Sequence, residues 1–163
     1  MPAVTPAYAK NIIRRAFTEL VDPGPSTVDR LRLWEHFRHA CAYCGQLVRY
    51  GAKEGHLDHL VAAAQDGPNA LGNRVLTCAP CNEQEKLDHP WEAFLKKKAP
   101  SPEEFAVRRQ RILDWQKANP LPGGAMSRQL KELARAKADE VVAAFEQAVA
   151  DVRQQKMASC HDL

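Results

Sequence analysis

Four of the five cysteines fall in two C-x-x-C pairs, Cys41-Ala42-Tyr43-Cys44 and Cys78-Ala79-Pro80-Cys81. Thiolates are soft ligands, Zn²⁺ has no d-electron geometry of its own, and two such pairs close a tetrahedral shell with no position left for a substrate. The chemistry to which they point is a structural zinc site. Each pair is followed by a residue suited to continuing a tight turn, Gly45 and Asn82. Buried cysteines are also common as plain small hydrophobes, but two pairs at ligand spacing are improbable by chance. His39, two residues before Cys41, reads as a solvated histidine at a helix end, and Cys160 has no partner in the sequence and reads as a free thiol.

Between the pairs lies Gly55-His56-Leu57-Asp58-His59-Leu60, a dense group of ionisable residues in what reads as a strand. Side chains alternate along a strand, so His56 and Asp58 point to one face and His59 to the other. An adjacent aspartate and histidine can then address different parts of one reaction.

The order of these elements is specific. Cys-x-x-Cys-Gly, Asp58-His59, Asn73-Arg74-Val75-Leu76-Thr77, and Cys78-x-x-Cys81-Asn82 with Lys86 together resemble the HNH, or ββα-metal, endonuclease family, in an HNN variant with a Cys₄ zinc site. The resemblance implies an α+β fold: a ββα-metal core stabilised by two zinc knuckles and embedded in a mainly helical chain. It implies that His59 is the general base, that Asp58 and Asn82 hold a catalytic divalent ion, and that Asn73 braces the loop between strand and helix and so orients the base. The chemistry agrees, since a neutral imidazole takes a proton from water near neutral pH, and carboxylate and amide oxygens are hard ligands suited to Mg²⁺ or Mn²⁺. The implied activity is hydrolysis of DNA phosphodiesters to 5′-phosphate and 3′-hydroxyl ends by an endonuclease or nickase. By analogy alone the setting would be a bacterial restriction or defence system. The competing reading is a non-catalytic zinc-binding module that binds nucleic acid or a protein partner.

His56, sharing a face with Asp58, is a candidate for contact with the metal's outer shell or the scissile phosphate, against a solvated strand-end histidine. Lys86, one α-helical turn after Asn82, is a candidate phosphate contact, as are Lys96, Lys97 and Lys98, the basic cluster nearest the motif. The family commonly has a proline and then Gly-Gly after the Asp-His pair, and Val61-Ala62-Ala63-Ala64-Gln65-Asp66-Gly67 stands there instead. DNA contacts from that loop are therefore not expected to follow the family pattern. His36, His89 and His161 have no motif role and read as structural or solvated.

The flanking sequence must position this motif. Thr5-Pro6 starts a helix carrying Ile12, Ile13, Ala16, Phe17 and Leu20, stopped at Asp22-Pro23-Gly24-Pro25. Ser26 and Asp29 form a capping box for a second helix whose Val28, Leu31, Trp34 and Phe37 should face the core. Gln46 to Tyr50 and His56 to Val61 read as short strands, and Asn82 to Leu87 as a helical segment. Pro90 opens a helix to Lys98, Ser101-Pro102-Glu103-Glu104 opens another to about Lys117, and Asn119 to Gly124 breaks the chain. From Ser127 to about Ala158 there is no Gly or Pro, and Ala134, Ala138, Val141, Phe145, Ala148 and Val152 form a helical stripe.

This layout predicts N-terminal helices over residues 1–40, a nuclease core over 41–98 and a C-terminal helical extension over 99–163. The net charge of +3 is compatible with DNA and decides nothing alone. No apolar run approaches the ~18 residues of a membrane span, and no signal core follows the N-terminus, so a cytoplasmic protein without a membrane partner is expected. The long last helix reads either as a surface for a protein partner or second copy, or as a helix folded back on the N-terminal helices.

Overall fold

A computed structural model of the chain describes residues 4–52, 54–121 and 125–159. Cys160, His161 and part of the Asn119–Gly124 break lie outside the described residues. The contacts sort the chain into two units, one spanning Gly24–Pro122 and one combining Met1–Pro23 with Gly123–Leu163.

In the first unit, the Ser26 side chain accepts from Asp29 N–H and the Asp29 carboxylate accepts from Ser26 N–H, which starts α2 (Thr27–His36). Leu33, Trp34 and then Phe37 are buried, whereas Val28 and Leu31 are exposed, so the core-facing stripe is displaced from the one expected. The register is set by Trp34, whose ring lies where a Cβ on Gly55 would come within 2.3 Å of it. Only glycine lets the strand approach the indole that closely.

The sheet is an antiparallel pair, β1 (Gly55–His59) and β2 (Arg74–Cys78), in register from Gly55↔Cys78 to His59↔Arg74. The expected strand at Gln46–Tyr50 is absent as a ladder. That stretch makes one bridge, Leu47 to Ala40, with Cys41 N–H donating to Gln46 O and Val48 N–H to His39 O. Closing the first cysteine turn uses those backbone groups, and Arg74-Val75-Leu76-Thr77-Cys78, buried from Val75 to Cys78, supplies the second strand instead.

A π-helical turn, Pro80–Lys86, follows β2, and α3 (Trp91–Lys98) and α4 (Pro102–Ala118) complete the unit. The Ser101 hydroxyl caps α4 by accepting from Glu104 N–H. Ile112 and Trp115 of α4 and Phe94 and Leu95 of α3 join Phe37, Tyr43, Val48, Leu60, Val75 and Leu76 in one core. The Trp115 indole donates to Leu71 O at 3.1 Å. That bond ties α4 to the turn just before β2. Strand, strand and helix thus lie around the four cysteines in a mainly helical chain of α+β class.

In the second unit, α1 (Pro6–Val21), capped by Thr5, lies antiparallel to α5 (Ala125–Ser159). The direction follows from the ion pairs Lys10–Glu146, Arg14–Asp139 and Asp22–Lys131, whose numbers run in opposite senses. Among the described side chains of α5, Ala134, Ala138 and Val142 are the buried ones, a ridge of small side chains at four-residue spacing that allows close helix approach. Val141 and Val152 of the expected stripe are exposed. No helix of the described residues is long and apolar enough to cross a membrane.

Candidate active site and zinc centre

The two cysteine turns bring four sulfurs together. Ligand atoms of Cys41, Cys44, Cys78 and Cys81 all lie within 4.8 Å of one another, and all but Cys44 are buried. Charge crowding is visible in the thiols. Cys41 is lowered to about 5 because its sulfur accepts a hydrogen bond from Cys81, and that same bond, with burial, raises Cys81. Burial raises Cys78 to about 11. Four such sulfurs cannot all be thiolates without a cation among them, and a closed soft donor set at this spacing fits Zn²⁺.

The turns also position the residues between the cysteines. Gly45, with φ of +79°, ends the first one under the Arg108 guanidinium, where a Cβ would stand 2.6 Å from Nη2. Arg108 Nη1 donates to Tyr43 O at 2.7 Å. The Tyr43 ring is wholly buried and packs edge-on to Phe94 with ring centroids 5.0 Å apart. Its hydroxyl donates to Asp58 Oδ2 at 3.2 Å.

The same oxygen of Asp58 receives Lys86. The ammonium is 3.2 Å from Asp58 Oδ2 and donates to His59 O at 2.7 Å, with the lysine only 1% exposed. A reading of Lys86 as a phosphate contact one α-helical turn beyond Asn82 is thereby corrected. At 3.6 residues per turn, five residues rotate by about 140°, so Cys81 and Lys86 would diverge on an α-helix. The wider π-turn brings positions i and i+5 onto one side, and both side chains are buried here. Burial raises the Asp58 carboxyl above its ordinary value, against the opposing pull of Lys86 and Tyr43. Burial likewise lifts the Tyr43 phenol, with the Asp58 charge adding to it.

His59 faces a separate network. Its Nε2 lies 3.0 Å from Asn69 Oδ1 and its Nδ1 lies 3.1 Å from Arg74 Nη1. Arg74 also donates to Leu57 O at 3.2 Å and, through Nη2, to Asn69 Oδ1. Asp58 and His59 are neighbours in sequence whose partners come from different elements, as strand alternation requires.

Asn73 is 1% exposed and uses its whole amide. Its Oδ1 accepts from Val61 N–H at 2.9 Å, and its Nδ2 donates to Val61 O at 3.0 Å and Pro68 O at 2.8 Å. The loop that leaves β1 is thereby fastened beside the start of β2. Gly67 lies so close to it that a Cβ would stand 1.8 Å from Val61 O.

The remaining predicted residues are dispersed around this centre. His56 approaches Glu83 of the π-turn, with Nε2 3.6 Å from Oε1. Asn82 is half-buried at the start of that turn, directly after Cys81. Lys98 pairs with Glu85 at 2.7 Å, and Lys96 and Lys97 are exposed at the end of α3. His36 bonds Arg111 O through Nε2 at 2.8 Å and packs on Trp115, a structural arrangement. Sequence reading did not single out Tyr43, Asn69 or Arg74. Tyr43 occupies a variable position of the first cysteine pair, Asn69 lies in the loop that departs from the family pattern, and only Arg74 was carried along in a quoted motif.

No curated protein matches the chain. Residues 41–87 match the family model described as HNH endonuclease, a span that runs from Cys41, the first of the four clustered cysteines, to the residue after Lys86. Both cysteine pairs, both strands and the π-turn fall inside that span, and the chain therefore carries an HNH endonuclease domain over residues 41–87.

Proposed function

We propose that this protein is a metal-dependent DNA endonuclease or nickase in which His59 is the general base and Asp58 and Asn82 hold the catalytic cation. The observation that carries the reading is the separate anchoring of Asp58 and His59. One side chain is held by Tyr43 and Lys86 and its neighbour by Asn69 and Arg74, so that carboxylate and imidazole are presented independently. A phosphodiester hydrolase needs such a separation, because the base and the metal ligand act on different oxygens of one phosphate.

The donor set supports a hard cation, since Asp58 and Asn82 offer oxygens and the soft sulfurs are gathered in their own cluster. When bound there, Mg²⁺ or Mn²⁺ would neutralise charge on the phosphate and on the departing 3′ oxygen. His59 accepts the proton of the attacking water as its oxygen bonds to phosphorus. The bond from phosphorus to the 3′ oxygen breaks, and that oxygen takes a proton from solvent, leaving 5′-phosphate and 3′-hydroxyl ends. Lys86 opposes the burial-driven rise of the Asp58 carboxyl and holds it in place, and Asn73 keeps the loop carrying Asn69 in place. Lys96 and Lys97 offer exposed cations for the backbone of DNA. A restriction or defence setting rests on analogy with the family.

Supercoiled plasmid incubated with Mg²⁺ or Mn²⁺ tests this directly, with wild type beside His59→Ala. Wild type should convert the plasmid to nicked or linear product with ligatable ends, and His59→Ala should lose at least about 10²-fold in rate. Equal cleavage by both would remove His59 from the chemistry. A zinc-loaded wild type inert with either metal would favour the non-catalytic binding module.

A further inference from the structure

The hairpin of α1 and α5 has two unlike sides. At about 100° of rotation per residue, Lys10 and Arg14 turn to one side of the half-buried Ile13, and Ile12 and Ala16 turn to the other. On α5, Asp139 and Glu146 lie to one side of the buried Ala138. Leu130, Val141, Ala148 and Val152 lie to the other, with Leu133, Lys137 and Ala144 beyond them. The ion pairs Lys10–Glu146 and Arg14–Asp139 join the two charged sides. The two apolar sides therefore share the opposite face of the hairpin. Ile12, Leu130, Leu133, Val141 and Val152 are 44–67% exposed there, and α1 has no buried residue at all.

We propose that this face is the interface with a second copy of the chain, paired about a two-fold axis with α5 antiparallel to its counterpart. The proposal does not depend on the role of His59. The order of side chains along the α5 stripe is complementary to its own reverse. About an axis at Val141, Leu130 of one copy lies over Val152 of the other, Leu133 over Ala148 and Lys137 over Ala144. Each long side chain thus opposes a shorter one, Val141 meets itself, and every contact occurs twice. Ala144 and Ala148 let the two α5 axes approach closely. The stripe runs about 33 Å at 1.5 Å per residue, and with the shorter α1 beside it the face projects about 500 Å². Interdigitated side chains raise that area to the roughly 600–1,000 Å² per partner of a specific interface. An antiparallel pair of helices is half of a four-helix bundle, and the second copy completes it. A polyanion finds no free counter-charge in the stripe, where the cation Lys137 is paired with Glu140 at 2.8 Å.

Analytical ultracentrifugation of the zinc-loaded full chain tests this. At micromolar concentration the wild type should sediment at twice the 18.2 kDa of one chain. Leu133→Glu changes a side chain that is exposed in the single chain, so helicity by circular dichroism should be kept. The dimer dissociation constant should rise at least about 10²-fold, since symmetry buries the unpaired charge twice. In a Cys160→Ser background, Val141→Cys should link two copies through a short bis-maleimide, and Ala143→Cys, on the outer side of α5, should not. A wild type that stays monomeric across the micromolar range would overturn the proposal, whatever else covers the face. That measurement needs no variant to fold. A dimer as tight in Leu133→Glu as in wild type, or one cross-linked equally through positions 141 and 143, would overturn it as well, because the copies would then meet elsewhere.

Discussion

The hydroxyl of Tyr43, third residue of the first cysteine turn, donates to Oδ2 of Asp58 at 3.2 Å, so that turn and the motif carboxylate are joined by one hydrogen bond. Lys86, which ends the π-turn begun at the second pair, reaches the same oxygen. Each cysteine turn therefore contributes one donor to Asp58, and the four sulfurs fix the distance between those donors.

Tyr43→Phe removes the first donor and keeps the ring against Phe94. Stability should fall by about 1–2 kcal/mol, the cost of an unmet hydrogen bond at a buried carboxylate, with zinc content unchanged. Urea denaturation alongside elemental analysis measures both, and loss of zinc from this variant would show that Tyr43 supports the metal turn rather than Asp58.

Lys86→Met leaves a largely buried carboxylate without its cation and should cost about 3–5 kcal/mol. Removing the charge as well, in Lys86→Met combined with Asp58→Asn, should recover part of that loss. The double-mutant cycle should give a coupling of at least about 1 kcal/mol. Additive effects would mean that the 3.2 Å pair contributes no specific interaction.

Zinc removal is expected to unfold the Gly24–Pro122 unit locally, because both turns close on the sulfurs and the core residues Tyr43, Val75 and Leu76 lie between or beside them. Wild type should carry a single equivalent of zinc. Cys81→Ser should lose it, together with any plasmid cleavage, although Cys81 is not expected to touch DNA. Inductively coupled plasma analysis and near-ultraviolet circular dichroism read the two effects separately.

Asn73→Ala deletes three hydrogen bonds to Val61 and Pro68 and strands their backbone groups in a buried site. A loss of about 2–4 kcal/mol is expected. Amide exchange should accelerate through residues 60–73, while the α1 and α5 pair keeps its protection. Uniform acceleration across both units would show that Asn73 supports the whole chain and not this loop.

Much of this architecture is written locally. The Thr5, Ser26 and Ser101 caps, the Pro6 and Pro102 starts and the uninterrupted helix after residue 127 depend on neighbours within a turn, and these helices appear where the sequence places them. The cysteine pairs were equally legible, since two residues between ligands is itself a geometric statement. So was the separation of Asp58 from His59, which strand alternation imposes whatever surrounds the strand.

Tertiary structure decided the partners. That Lys86 is buried depends on a π-turn in place of an α-turn, a difference of one hydrogen-bond register that no residue of Asn82–Lys86 announces. That Arg74 faces His59 depends on the β1–β2 register, set across a 14-residue connection by Asn73 and by the packing of Trp34 on Gly55. The pairing of α1 with α5 joins opposite ends of the chain and rests on a ridge that sequence periodicity placed at Val141 and packing placed at Val142. Caps, ligand spacing and alternation are short-range and legible. Hydrogen bonds between segments distant in sequence exist only once the core has chosen which faces meet.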